Sequence, residues 1–220
     1  MIATLALVCG VMAGCQRDRQ ENRYRPGGAF YDLLDASGDR VLLVDENGRP
    51  KLKLRKRLTG YKVYDAELSP VGEVEWKVPT NGEKRPDLET LTVDALGDEQ
   101  PRRLQRPQEN VYELDGAFRI ERTDPGWAVF DPQGGLLGSF EKIDASWVLK
   151  PNYGGSQAIR VDRSGRRVVV RDSEPILEMQ APSESLSDAE LLAQSFETLD
   201  PLERTLLGVW LRFQDESGDS

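Results

Sequence analysis

Trp127-Ala128-Val129-Phe130-Asp131-Pro132-Gln133-Gly134-Gly135-Leu136-Leu137-Gly138-Ser139-Phe140 holds the pattern on which the fold turns. An apolar run meets Asp-x-x-Gly, and a second strand-like run follows. Asp accepts hydrogen bonds from nearby backbone amides, and Gly takes the positive φ that lets the chain reverse. The stretch therefore predicts a β-hairpin. The same unit recurs at Leu34-Asp35-Ala36-Ser37-Gly38, Val44-Asp45-Glu46-Asn47-Gly48, Val93-Asp94-Ala95-Leu96-Gly97 and Val161-Asp162-Arg163-Ser164-Gly165. Tyr64-Asp65, with Gly72 further on, is a looser relative. Irregular spacing excludes a strict solenoid or propeller, whereas consecutive hairpins suit an antiparallel barrel or sandwich. Calcium is the other reading of Asp-x-x-Gly. An EF-hand loop needs further oxygen ligands and a distal Glu, and no unit here supplies them.

Working outward, Asp98 to Asn110 is long and polar, and its two prolines, Pro101 and Pro107, argue against a regular central strand. Ala181 to Leu186 is a Pro/Ser-rich linker, after which the periodicity becomes helical. Ser187-Asp188-Ala189-Glu190 matches a capping box and opens a helix expected over about 187–198. Asp200-Pro201-Leu202-Glu203 opens a second, expected over about 201–213. From Leu206 to Leu211 every residue except Gly208 is apolar. Such a helix must be buried on several sides, yet it is too short to span a bilayer. Gly208 suggests close approach to a surrounding wall. The fold class expected is mainly β with C-terminal helices, an antiparallel hairpin barrel. Whether the barrel closes around the apolar helix, or the helical pair packs outside a barrel or sandwich, is open at this point.

Tyr61-Lys62-Val63-Tyr64-Asp65, Gly72-Glu73-Val74, Trp127 to Asp131 and Leu137 to Phe140, followed by the apolar helix Leu202 to Phe213, resemble the tubby-like superfamily. That group includes the tubby C-terminal domain, the phospholipid scramblases and the LURP-one-related proteins. The resemblance implies a β-barrel threaded by a hydrophobic C-terminal helix. It carries over no functional residue, because no phosphoinositide- or calcium-binding motif of the family is present.

The N-terminus sets an expected address. Met1 to Gly14 is an uncharged apolar run ending in small residues, and Cys15 follows. This resembles a bacterial lipoprotein signal peptide (residues 1–14), cut so that Cys15 carries diacylglycerol and an acyl chain such as palmitate. No Lys or Arg precedes the run, and Met12 stands where Leu is usual. Gln16, rather than the Asp that retains lipoproteins in the inner membrane, points to an outer-membrane lipoprotein facing the periplasm. Residues 15–28 form the lipidated cysteine and a polar tether, 29–213 one β-rich domain, and 214–220 an acidic tail.

Composition narrows the chemistry. The 220 residues include no His, and the only cysteines are Cys9, lost with the signal, and Cys15. The mature domain therefore lacks imidazole and free thiol, which excludes Ser-His-Asp, Cys-His and Cys/His zinc sites. A formal charge of -9 argues against nucleic acid. No enzyme, cofactor or metal is expected. The candidate binding residues are Lys51, Lys53 and Arg55, which alternate with Leu52 and Leu54 along one strand. They predict a basic stripe for an anionic headgroup or an acidic partner, or else a solvated or edge-protecting strand face. Arg163, Arg166, Arg167 and Arg171 form a lesser cluster. Trp76, Trp127, Trp147 and Trp210 are expected as core, with a ligand pocket as the other reading. The function expected is a membrane-tethered envelope lipoprotein with a non-enzymatic binding domain for a lipid headgroup or an envelope protein. The alternatives are an assembly factor that uses its sheet as a protein interface, and a carboxylate-based envelope hydrolase.

Overall fold

The computed structural model describes residues 40–77, 88–180 and 186–216. The expected signal peptide, Cys15, the expected tether, the Leu34–Gly38 unit and the end of the expected acidic tail lie outside the described residues.

The described residues form fourteen strands, two α-helices and a short 3-10 turn at Leu88–Thr90. The first seven strands are β1 (Arg40–Val44), β2 (Pro50–Arg57), β3 (Gly60–Tyr64), β4 (Pro70–Glu75), β5 (Thr92–Ala95), β6 (Arg102–Gln108) and β7 (Val111–Leu114). The next seven are β8 (Phe118–Thr123), β9 (Gly126–Phe130), β10 (Leu136–Ile143), β11 (Ser146–Pro151), β12 (Gln157–Val161), β13 (Arg167–Arg171) and β14 (Glu174–Gln180). Every neighbour is antiparallel and consecutive, and β1 pairs with both β2 and β14, so the meander closes into a barrel with no free edge.

The Asp-x-x-Gly units are its turns. Asp131 Oδ1 accepts from the amides of Gln133 (2.9 Å) and Gly135 (2.7 Å), while Gly134 sits at φ +86°. Asp45 and Asp162 do the same, at 2.8–2.9 Å, for residues two and four positions on. These carboxylates thus serve backbone amides. Among the described residues no group of three His, Cys, Asp or Glu is placed to hold a metal ion.

One stretch corrects the sequence reading. Arg102 to Gln108, expected as a polar interruption, is strand β6. Its register shifts between Gln105 and Gln108, so Pro107 falls in an irregularity where no ladder bond is required of it.

Fourteen strands enclose a bore too wide for strand side chains alone to fill. The C-terminal helices fill it. Helix α1 (Asp188–Gln194) is shorter than expected and ends in a turn at Ser195; helix α2 (Pro201–Glu216) runs three residues past Phe213. The capping box at Ser187 is formed: Glu190 N donates to Ser187 Oγ (3.2 Å), and Ser187 N donates to Glu190 Oε2 (2.8 Å). Asp200 and Glu203 make the equivalent pair at the start of α2. Leu206, Leu207, Val209, Trp210 and Leu211 are all fully buried, which explains why the apolar surface wraps the helix. Trp210 packs edge-on against Trp127 of β9 (4.7 Å between centroids) and Tyr112 of β7 (5.0 Å). Phe213 meets Trp76 at 5.6 Å, just beyond β4. The barrel is therefore threaded by α2. Each such side chain contributes about 1.5–3 kcal/mol on burial.

Gly208 marks a close approach within the bore. A Cβ there would lie 2.9 Å from Glu190 Cα and 3.2 Å from Ala193 Cβ. Its neighbour is thus α1, not the barrel wall.

Candidate binding sites at the two ends of the barrel

The expected basic stripe is not one exposed surface. Lys53 and Arg55 share the outer face of β2, opposite the core residues Leu52 and Leu54, while a register shift against β1 falls at Lys51. Lys53, however, is only 5% exposed. It registers beside Leu42 and Tyr64, and its ammonium sits 5.1 Å from the Tyr64 ring centroid. Leu42, Val44 and Leu68 form a separate buried apolar cluster on this side of the sheet. Lys51 instead pairs with Glu197 at 3.6 Å, at one end of the barrel, and Arg55 stays exposed. The alternation applies to Lys53 and Arg55, a bulge interrupts it at Lys51, and parity does not report what covers a face.

The second arginine cluster is largely spent internally. Arg166 bonds Asp162 (2.9 Å) and Glu178, and Arg167 bonds Asp188 (2.8 Å) and the Leu186 carbonyl. Ser164 hydroxyl and backbone amides donate to Asp162 and hold its carboxyl down at about 2.

An antiparallel barrel has its hairpins at two ends, and each end has a cavity. The larger, about 830 Å³, lies between the β8–β9 and β10–β11 hairpins and the C-terminal turn of α2. Its walls include Trp127 and Trp147, with Arg122, Lys142, Gln214 and Asp215 around them. The Arg122 guanidinium lies 5.4 Å from the Trp127 ring centroid, a cation–π arrangement. Lys142 pairs with Asp215. The Trp147 indole N–H is buried without a hydrogen-bond partner. Aromatic walls, an unused indole donor, and Arg122 and Lys142 set against Asp124 and Asp215 make an apolar pocket with a charge-balanced rim.

The smaller cavity, about 540 Å³, lies at the other end. The β1–β2 and β13–β14 hairpins, the turn after α1 and the first turn of α2 enclose it. Lys51, Arg171 and Arg204 bring positive charge; Glu46, Glu174 and Glu197 bring negative. Burial lowers the Arg204 pKa, opposed by Glu197 and Asp200.

All four tryptophans are buried, as expected of core residues, and Trp127 and Trp147 also line a cavity. Arg122 and Lys142 were not singled out from the sequence. They stand on separate hairpins and carry no local motif; the pairing of β9 with β10 brings those hairpins side by side.

In the bore itself the main charged node is Glu190, 2% exposed. Its Oε1 accepts from Tyr61 OH (3.0 Å) and Arg212 (2.9 Å). Burial first, and Glu190 second, raise the Tyr61 pKa well above the ordinary phenol range.

The fold and these sites define a class: a closed antiparallel barrel with a helix along its bore and a cavity at each end. Comparison with protein-family models, curated proteins and solved structures returned no match.

Proposed function

We propose that this chain is a bacterial envelope lipoprotein, acylated at Cys15 and tethered to the outer membrane, whose barrel is a non-enzymatic domain that binds anionic lipid headgroups. The observation that carries the binding reading is the larger cavity, where Trp127 and Trp147 meet Arg122 and Lys142. Apolar walls take an acyl or glycerol portion while the cations take the charge, each worth about 1 kcal/mol near a membrane surface. A polar tether after Cys15 would let the domain reach a lipid in the leaflet that anchors it. The headgroup role thus moves from the Lys51–Lys53–Arg55 stripe to this mouth. A barrel closed on its C-terminal helix is also what the tubby-like resemblance implies, and membership of that superfamily is part of the proposal.

Native mass spectrometry of the unacylated chain, Gln16 to Ser220, purified without detergent, tests this. A bound mass matching a phospholipid, lost when Arg122 and Lys142 are both changed to Glu, is the expected result. A clean apo mass that persists after incubation with anionic vesicles would overturn it. Weight would then shift to an assembly factor using its outer sheet as a protein interface.

A further inference from the structure

The two ends of the barrel differ in charge and in what their turns expose. Because the meander is antiparallel and consecutive, the chain enters the wall at Arg40 on the same end as the β2–β3, β8–β9, β10–β11 and β12–β13 turns. The larger cavity opens at that end too. At the opposite end Arg49 is the only basic residue in the described turns, against acids that include Asp45, Glu46, Asp65, Glu67, Asp98 and Glu99. Two turns of the entry end stand out. Leu58, at the tip of β2–β3, is 93% exposed, and Val161, at the start of the β12–β13 turn, is 61% exposed. Turn tips ordinarily carry Gly, Pro, Asn, Asp or Ser, and an apolar side chain held out in water there is unfavourable in the isolated fold. Exposed cations flank each one: Lys56 and Arg57 beside Leu58, Arg160 and Arg163 beside Val161. Arg57 pairs with Glu73, whereas Lys56, Arg160 and Arg163 make no ion pair among the described residues. Strands β14 and β1 lie between the two turns, so by strand spacing the tips stand roughly 15 Å apart along the rim, one on either side of the point where the chain enters. The opposite end also exposes Leu96, but Asp94 and Asp98 flank it.

We propose that the entry end of the barrel seats on an anionic lipid surface, with Leu58 and Val161 inserted at the interface and Lys56, Arg160 and Arg163 on the headgroups. An apolar side chain flanked by cations suits that boundary, where the tip leaves water and the charge meets lipid phosphate. The same surface repels the acidic end, which faces away from it. This orientation extends the lipid reading and rests on it, since the chain before Arg40 leads back to the expected anchor at Cys15. It also turns the larger cavity towards the leaflet from which that cavity would draw its ligand. The seating contacts themselves are residues that do not line the cavity.

Fluorescence of the full mature chain, reconstituted in vesicles of phosphatidylglycerol and phosphatidylethanolamine, tests the proposal. No cysteine follows Cys15, so once Cys15 is acylated Leu58→Cys, Val161→Cys, Leu96→Cys and Tyr153→Cys each accept one environment-sensitive thiol label. All four positions are exposed, so the core is left intact. Labels at positions 58 and 161 should be blue-shifted and quenched several-fold by lipids brominated along the acyl chain; labels at 96 and 153, on the opposite end, should be neither. Lys56→Glu with Arg163→Glu should remove most of the quenching at both tips, and vesicles of phosphatidylcholine alone should do the same. Quenched tips in a chain that carries no bound phospholipid would support the seating while the cavity reading falls. Bound phospholipid with tips no more quenched than positions 96 and 153 would overturn the seating and leave the cavity reading standing. Quenching unchanged by the charge reversal would also overturn it, as would labels shielded from water yet untouched by the brominated lipid, which would place a second copy of the chain there instead.

Discussion

Gly208→Ala sets two known effects against each other, and the structure decides between them. In a free helix the change gains about 1 kcal/mol, because Gly is the poorer helix former. In the bore the new methyl meets Glu190 Cα at 2.9 Å, Ala193 Cβ at 3.2 Å and the Glu190 carbonyl at 3.2 Å. Two of those atoms are backbone, so no side-chain rotation relieves them. Helix α1 would have to move away, but the closed sheet lies behind it, and Glu190 is tied to Tyr61 and Arg212. Overpacking of a filled core costs roughly 1–3 kcal/mol and more where backbone must shift. Because backbone must shift, the upper part of that range, about 2–3 kcal/mol, applies, and after the propensity gain of about 1 kcal/mol a net loss of about 1–2 kcal/mol is expected. Equilibrium unfolding in urea, followed by tryptophan fluorescence, reads this as a lower midpoint at unchanged slope. Adding Ala193→Gly should restore little, since the nearest clash is with Glu190 backbone. A Gly208→Ala protein as stable as the parent, or more so, would show that the helices are not clamped in this way.

Other expectations follow from the same geometry. Deleting Leu202 to Ser220 removes the core of the bore, so a soluble truncate with a cooperative melt would refute the threaded barrel. Glu190→Ala should cost about 3–5 kcal/mol, because it removes the buried carboxylate that accepts from both Tyr61 and Arg212, whereas Glu190→Gln keeps both capping bonds and should cost less; denaturant midpoints compare them. Because the folded Tyr61 pKa is raised, the native state holds that proton after the unfolded chain has lost it. Stability should therefore fall as pH rises above about 10, and Tyr61→Phe should flatten the decline in pH-dependent melts. Asp162 behaves oppositely. Its folded pKa of about 2 lies below the ordinary 3.8, so its contribution is present above that value and lost on acidification towards about 2. Ser164→Ala should shift its NMR titration midpoint upward.

The sequence revealed the fold more fully than the sites, for physical reasons that particular residues show. A turn built on Asp and Gly is a local event, so Asp131 and Gly134 announce it within four residues. Turns of another chemistry stayed silent. Asp144–Ala145 and Asp172–Ser173 reverse the chain with both residues at positive φ, 48° and 65° in the first and 50° and 75° in the second, without glycine. Both follow the paired left-handed geometry of tight hairpins. Capping at Ser187 and Asp200 was local too, and was legible. The cavities were not. Arg122, Lys142 and Trp147 meet through the cross-strand pairing of β8 to β11, and Lys51, Arg171 and Arg204 only when β1 closes onto β14 around α2. Lys53 shows the converse: a local pattern identified its face, but burial on that face is a tertiary fact.

One element joins both cavities. Helix α2 contributes Arg204 to the smaller one and Gln214 and Asp215 to the larger, about three turns away. Between them it is held at Gly208 against α1, at Trp210 between Tyr112 and Trp127, and at Arg212 on Glu190. A helix fixed at its middle in a close-packed core offers rigid ends. The cavity-facing groups on those ends are therefore preorganised, and a ligand would lose little free energy in ordering them. This also accounts for a charged node within a largely apolar bore. Glu190 caps α1, receives the Tyr61 hydroxyl from the sheet and pairs with Arg212 of α2, so a single buried carboxylate sets the register of all three. An apolar residue there would pack, but it would leave the sliding and rotation of α2 unspecified, and the two ends would no longer present fixed groups to either cavity.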